Sequence, residues 1–116
     1  MRDLLLQAAG VIAILVSIVH GVLGETYVFA RATIEPRRLR TLIRLVWQAG
    51  TLAWIAGGVL LIAVPWMGSE VARHWIIATY AVVFGFAAIG NAIATRTVHP
   101  GWIGMSAAVA LAVAGY

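Results

Sequence analysis

The chain has 116 residues, of which 63% are hydrophobic and only 10% charged, and its net charge is +4 at pH 7. Soluble domains have roughly a quarter of their residues charged, so this composition excludes an ordinary soluble domain and predicts an integral membrane protein. Because the chain has no cysteine, disulfides, thiolate catalysis and cysteine-ligated metals are excluded as well.

Four apolar runs follow one another, at residues 4–30, 42–66, 71–94 and 101–116. A membrane-spanning helix needs about 20 apolar residues at a rise of 1.5 Å each, so three runs are long enough and the fourth, at about 24 Å, is marginal. We predict an all-α fold in one domain, residues 1–116. It is a four-helix transmembrane bundle, up-down-up-down with short loops, and its helices lie at about 4–30, 37–66, 71–95 and 100–116. The alternative is three spans with a re-entrant fourth segment.

The first run ends with two polar side chains, His20 and Glu25. Glu25 is near the membrane interface, where an ionised group costs less than at the centre. It can bind a proton or a ligand, or form a salt bridge to one of three arginines, Arg31, Arg40 or Arg44. His20 lies one to two turns deeper, where it can bond a backbone carbonyl or a neighbouring polar side chain, or ligate a metal or haem iron.

Glu35-Pro36 predicts the start of the second helix, because proline is tolerated at the first helical position. Polar residues then recur on one helical face, at Arg37, Thr41, Arg44, Gln48 and Thr51. Four arginines of this segment are expected to anchor the protein on anionic lipid headgroups: Arg37, Arg38, Arg40 and Arg44. The alternative is a ligand path that descends into the bilayer. Trp54 falls near mid-membrane, where it lines the bundle interior or packs into lipid.

Asn91 closes the third run, and His99 stands before the fourth. In a chain that crosses a bilayer back and forth, the end of one segment and the start of the next face the same leaflet, so the polar residues of all four segments are expected at one depth. This predicts a ligand-binding cluster without catalytic residues or metal ligands, composed of His20, Glu25, Arg44, Gln48, Thr51, Trp54, Asn91 and His99.

The arginines predict the orientation of the bundle. Six of the eight lie on one side, and such a bias places the richer side in the cytoplasm: Arg31, Arg37, Arg38, Arg40, Arg44 and Arg96. Both termini are then periplasmic. Trp47 and Trp102 are expected as interfacial anchors on the cytoplasmic side.

Two short segments carry a resemblance to known proteins. His20-Gly21-Val22-Leu23-Gly24-Glu25 and His99-Pro100-Gly101-Trp102 resemble motifs of a group of uncharacterised small four-span proteins of the bacterial inner membrane. The resemblance implies the fold and the location, and it brings no activity. In architecture the chain is also similar to the small multidrug resistance transporters, which work as dimers around one glutamate of the first helix. Glu25 departs from that pattern because it stands at the end of its helix.

The sequence favours a non-enzymatic membrane protein that binds a partner subunit, a lipid or a small ligand through the polar cluster, as a homo-oligomer or beside a partner membrane subunit, and without nucleic acid. One alternative is a b-type haem electron-transfer protein with His20 and His99 as axial ligands. A metal site formed by the same histidines and Glu25 has no characteristic spacing. The other alternative is a small proton-coupled transporter that uses Glu25.

Overall fold

The computed structural model describes all 116 residues. It is 85% helical and has no strand, so the predicted all-α class is confirmed. The first helix, α1, runs over Arg2–Arg31 and contains a π-helical turn at Gly24–Val28. The others are α2 at Arg37–Ala63, followed by a short 3₁₀ turn at Val64–Trp66, α3 at Glu70–Ala94 and α4 at Gly101–Ala114.

Three of the helices are long and apolar enough to cross a membrane. These are α1 with 30 residues, α2 together with its 3₁₀ turn, also with 30, and α3 with 25. The fourth helix is shorter: α4 has 14 residues, which is about 21 Å at 1.5 Å per residue.

Local sequence accounts for where the helices begin. Pro36, with an extended ψ of 165°, immediately precedes α2. Because proline has no backbone N–H to donate, the helix does not extend further towards the N-terminus. Ser69 caps α3, since its Oγ accepts a hydrogen bond from the backbone N–H of Ala72 at 3.2 Å. Before that cap the chain turns at Gly68, whose φ of +64° is a conformation that glycine adopts without strain.

The first helix lies at the centre of the arrangement. It packs against α2 on one side and against α4 on the other, and α3 packs chiefly against α4. At the α1–α2 contact Gly10 and Gly58 face each other, and a Cβ added to Gly58 would lie 2.7 Å from the Gly10 carbonyl oxygen. Close backbone approach of this kind is how helices associate in lipid, where no hydrophobic driving force separates helix from acyl chain.

One apolar core joins the four helices. It includes Leu6 of α1, Leu61 of α2, Phe84 of α3 and Met105 of α4, each no more than 1% exposed. Between α2 and α3, Gly57 accommodates the ring of Tyr80. Outside this core the large apolar side chains of α3 point away from the protein, with Phe86 80% and Val82 and Ile93 each 73% exposed.

Arg73 joins three chain segments at the end of the molecule that holds both termini. Its guanidinium donates two hydrogen bonds of 2.9 Å to Oδ1 of Asp3 and two of 3.2 Å to the carbonyl oxygen of Gly115. The side chain of Arg73 is only 9% exposed, whereas that of Asp3 is 58% exposed. The start of α1, the start of α3 and the end of α4 are thereby held together.

Candidate functional site

The site is centred on the carboxylate of Glu25, in the π-helical turn of α1. Arg44 of α2 binds both carboxylate oxygens, with Nε 3.0 Å from Oε1 and Nη2 2.6 Å from Oε2. Gln48, one turn deeper on α2, donates from Nε2 to the same Oε1 at 2.8 Å and to the carbonyl of Gly21 at 3.2 Å. Both oxygens of Glu25 are therefore engaged, and α1 is fixed to α2 by charge-assisted hydrogen bonds.

The indole of Trp47 closes the contact between the two helices above Gly24. A Cβ on Gly24 would run into the Trp47 ring, so only glycine allows the indole to lie this close to α1. The indole N–H donates to the carbonyl of His20 at 3.2 Å, and Phe29 packs edge-on against the same ring. Trp47 therefore both fills the gap beside Gly24 and satisfies a backbone carbonyl of α1.

His20 lies between two tryptophans. Its ring is parallel to that of Trp47, with centroids 4.2 Å apart and an interplanar angle of 4°, and Trp54 is tilted against it at 4.6 Å. No side chain or backbone group forms a hydrogen bond with the imidazole, so aromatic contacts hold the ring in place. Thr51 is buried on the next turn of α2, where its hydroxyl donates to the carbonyl of Trp47.

The last two predicted residues, Asn91 and His99, meet beside Gly101. Nδ1 of His99 accepts a hydrogen bond of 3.1 Å from the Gly101 N–H at the start of α4. Oδ1 of Asn91 lies 3.3 Å from where a Gly101 Cβ would be, and it is buried without a hydrogen-bond partner. Neither side chain forms a hydrogen bond with the Glu25 group.

Beside Glu25 an open groove of about 370 Å³ runs along the first turns of α2. Its seven lining residues are Glu25, Arg37, Arg40, Thr41, Arg44, Leu45 and Gln48. Arg40 donates to the backbone carbonyl of Phe29. Arg37 has no hydrogen-bond or ion-pair partner for its side chain, and Glu25 is the only acid in the lining.

The eight predicted residues therefore fall into three groups. Glu25, Arg44 and Gln48 are directly bonded and line the groove, while the half-buried His20 and Trp54 and the buried Thr51 lie further along the same contact between α1 and α2. Asn91 and His99 are on α3 and the connection to α4. No three histidine, cysteine, aspartate or glutamate side chains come together in a way that could hold a metal ion.

Three contributors to this geometry were not among the predicted binding residues. The sequence predicts Trp47 as an interfacial anchor, Arg37 as a headgroup contact or part of a ligand path, and Arg40 as a headgroup contact or a salt-bridge partner of Glu25. A contact between Trp47 and α1 could have been predicted because Trp47 directly precedes Gln48. The turn of α2 that brings Gln48 close to α1 also brings Trp47 close. Nothing in the sequence reveals that Arg40 reaches the carbonyl of Phe29.

Comparison with protein-family models, with curated proteins and with solved structures finds no match to this chain. The site must therefore be interpreted from its own geometry and charge.

Proposed function

We propose that this protein is an up-down-up-down four-helix bundle of the bacterial inner membrane that binds an anionic lipid headgroup in the groove beside Glu25. The observation that carries the proposal is the charge of that groove. Three arginines of one helix line it, and only Arg44 has a carboxylate partner. Arginine forms forked hydrogen bonds to phosphate, so the unpaired guanidiniums suit a headgroup phosphate.

The order of contacts supports the topology. Gly10 of α1 lies against Gly58 of α2, and Gly21 lies against Thr51. Residue numbers therefore fall along α2 as they rise along α1, so the two helices are antiparallel. The termini lie at one end, where Arg73 binds Asp3, and the groove lies at the other. The apolar side chains that α3 exposes, such as Phe86 at 80%, would be covered by acyl chains in a bilayer.

The arginine bias supports the orientation. The groove end carries six of the eight arginines, and the positive-inside rule assigns that end to the cytoplasm. Both termini are then periplasmic, and the groove faces the cytoplasmic leaflet, whose anionic lipids attract basic segments. A reporter fused to the C-terminus tests this orientation, because alkaline phosphatase is active there only if that end is periplasmic.

The geometry gives less support to the two alternatives. The Nδ1 atom of His99 accepts a hydrogen bond, which places the proton of a neutral ring on Nε2 and leaves neither nitrogen free for haem iron. The carboxylate of Glu25 already binds Arg44 and Gln48 through both oxygens, so it is not poised as a free proton carrier. A Soret band after expression with haem, or loss of proton-driven efflux in Glu25→Gln, would favour those alternatives.

Lipid binding is measured by native mass spectrometry of the protein in detergent, titrated with short-chain phosphatidylglycerol against phosphatidylcholine. We expect preferential binding of the anionic lipid and a loss of about fivefold in affinity for Arg37→Ala, because one arginine near anionic headgroups contributes about 1 kcal/mol. The matched control is Arg38→Ala, which removes an equal charge from the neighbouring position outside the groove. Equal losses in both variants would mean diffuse attraction and would refute a built site.

A further inference from the structure

We infer that the groove selects a phosphomonoester headgroup, one that ends in a free phosphate, over a phosphodiester headgroup. This inference rests on the proposed function and specifies its ligand. Glu25 neutralises Arg44, its partner at 2.6 Å. Arg37 and Arg40 have no carboxylate partner of their own in the same lining, so the groove with its three arginines and one acid has a net positive charge of two. A terminal phosphate carries about −1.5 to −2 at pH 7 because its second pKa is about 6, whereas a diester carries −1.

The donors match the same ligand. Arg37 and Arg40 are three residues apart on α2, a spacing that makes side chains neighbours on a helix surface. One guanidinium nitrogen of Arg40 is held by the Phe29 carbonyl, which orders this side chain and leaves its other N–H groups for a ligand. A phosphodiester has two non-bridging oxygens that can accept hydrogen bonds, whereas a phosphomonoester has three. The several N–H groups of two guanidiniums can therefore form more hydrogen bonds with the monoester.

The surroundings of the groove indicate a lipid as the source of the phosphate. Leu45 is the one apolar residue of the lining, and it continues into the exposed apolar face of α2, where Leu42 and Leu52 are also exposed. A phosphate bound at Arg37 and Arg40 thus has an apolar track beside it for an acyl chain.

The experiment compares dioctanoyl phosphatidic acid with dioctanoyl phosphatidylglycerol, again by native mass spectrometry of the purified full chain. At pH 7.5 we expect phosphatidic acid to bind about fivefold or more tightly, since it brings close to one additional negative charge. The preference should shrink at pH 5.5, where the terminal phosphate has lost most of its second charge. It should disappear in Arg37→Gln/Arg40→Gln, and it should persist in Arg38→Gln. Because the double variant keeps every histidine, any effect of pH that remains in it comes from the histidines and not from phosphate bound at Arg37 and Arg40.

The outcomes distinguish failure of the selectivity from failure of the headgroup site. Equal binding of both anionic lipids, reduced in Arg37→Gln/Arg40→Gln, overturns the selectivity and leaves the headgroup site standing. Binding of neither lipid above phosphatidylcholine overturns both. Soluble glycerol 3-phosphate is added as a competitor: displacement at concentrations comparable to the lipid would assign the site to a soluble phosphate and overturn the lipid. Circular dichroism and gel filtration of each variant ensure that lost binding is not lost folding.

Discussion

The Arg73 junction offers the sharpest quantitative test of the fold. We compare Asp3→Ala with Arg73→Met, two variants that break the same ion pair from opposite sides. The pair is asymmetric, because the Arg73 side chain is 9% exposed and that of Asp3 is 58% exposed. Removing Asp3 leaves a buried guanidinium with only the Gly115 carbonyl, whereas removing Arg73 leaves a carboxylate that water already solvates.

This asymmetry sets the magnitudes. Breaking a fully buried pair from one side costs about 3–5 kcal/mol, and the exposure of Asp3 reduces this, so we expect Asp3→Ala to lower the free energy of unfolding by about 2–3 kcal/mol. For Arg73→Met we expect about 1–2 kcal/mol, because hydrogen bonds to a charged group are lost while the exposed carboxylate of Asp3 is solvated by water. The double variant should cost no more than Arg73→Met alone, since no buried charge remains.

The assay is reversible unfolding in mixed micelles with increasing SDS, followed by the helical circular dichroism signal. Arg2→Met is the matched control, because Arg2 lies 3.8 Å from Glu70 with both side chains more than half exposed. We expect a change within about 0.5 kcal/mol for this exposed pair. The reasoning is wrong if Arg73→Met costs more than Asp3→Ala, or if Arg2→Met costs as much as either.

Two further predictions concern the candidate site. Gly24→Ala should lower the free energy of unfolding by about 1–3 kcal/mol, because its Cβ meets the Trp47 ring and overpacking costs this much; Gly50→Ala, with nothing within 4 Å of its Cβ, should leave stability unchanged or raise it, and equal effects in the two would contradict this packing. Asn91→Leu should leave the SDS midpoint unchanged or raise it, because the buried Oδ1 has no partner to lose; a marked loss of stability would reveal a partner for that oxygen.

The presence and character of the helices could be predicted from the sequence because hydropathy and length belong to each segment alone. All four apolar runs are helical, and three are long enough to cross a membrane. Hydropathy does not reveal how each helix is rotated about its own axis relative to its neighbours. Trp47 and Trp54 share one face of α2 because they are seven residues apart. The rotation of α1 turns His20 toward that face, and no periodicity within a single helix predicts this contact.

Among the charged contacts, too, some could be predicted from the sequence and others could not. A salt bridge from Glu25 to one of three arginines followed from the shared depth of the residues, and the structure selects Arg44. The pairing of Arg73 with Asp3, 70 positions away in the chain, could not be predicted, because it depends on how α3 and α1 meet at the other end. The π-helical turn could not be predicted either, since nothing in the composition of Gly24–Val28 distinguishes a π-helical turn from an α-helical one.

That π-helical turn bears on how this chain is aligned with other sequences. Gly24 lies against the indole of Trp47 of α2, and Phe29, five residues later, packs against the same ring. An α-helix would return to the same face after about four residues, so the turn accommodates one extra residue. A chain that lacks one residue here would still present its equivalent of Phe29 to α2 while losing the placement of Glu25. Alignments of this sequence should therefore permit a one-residue gap inside the first helix, where a gap within a helix is ordinarily penalised.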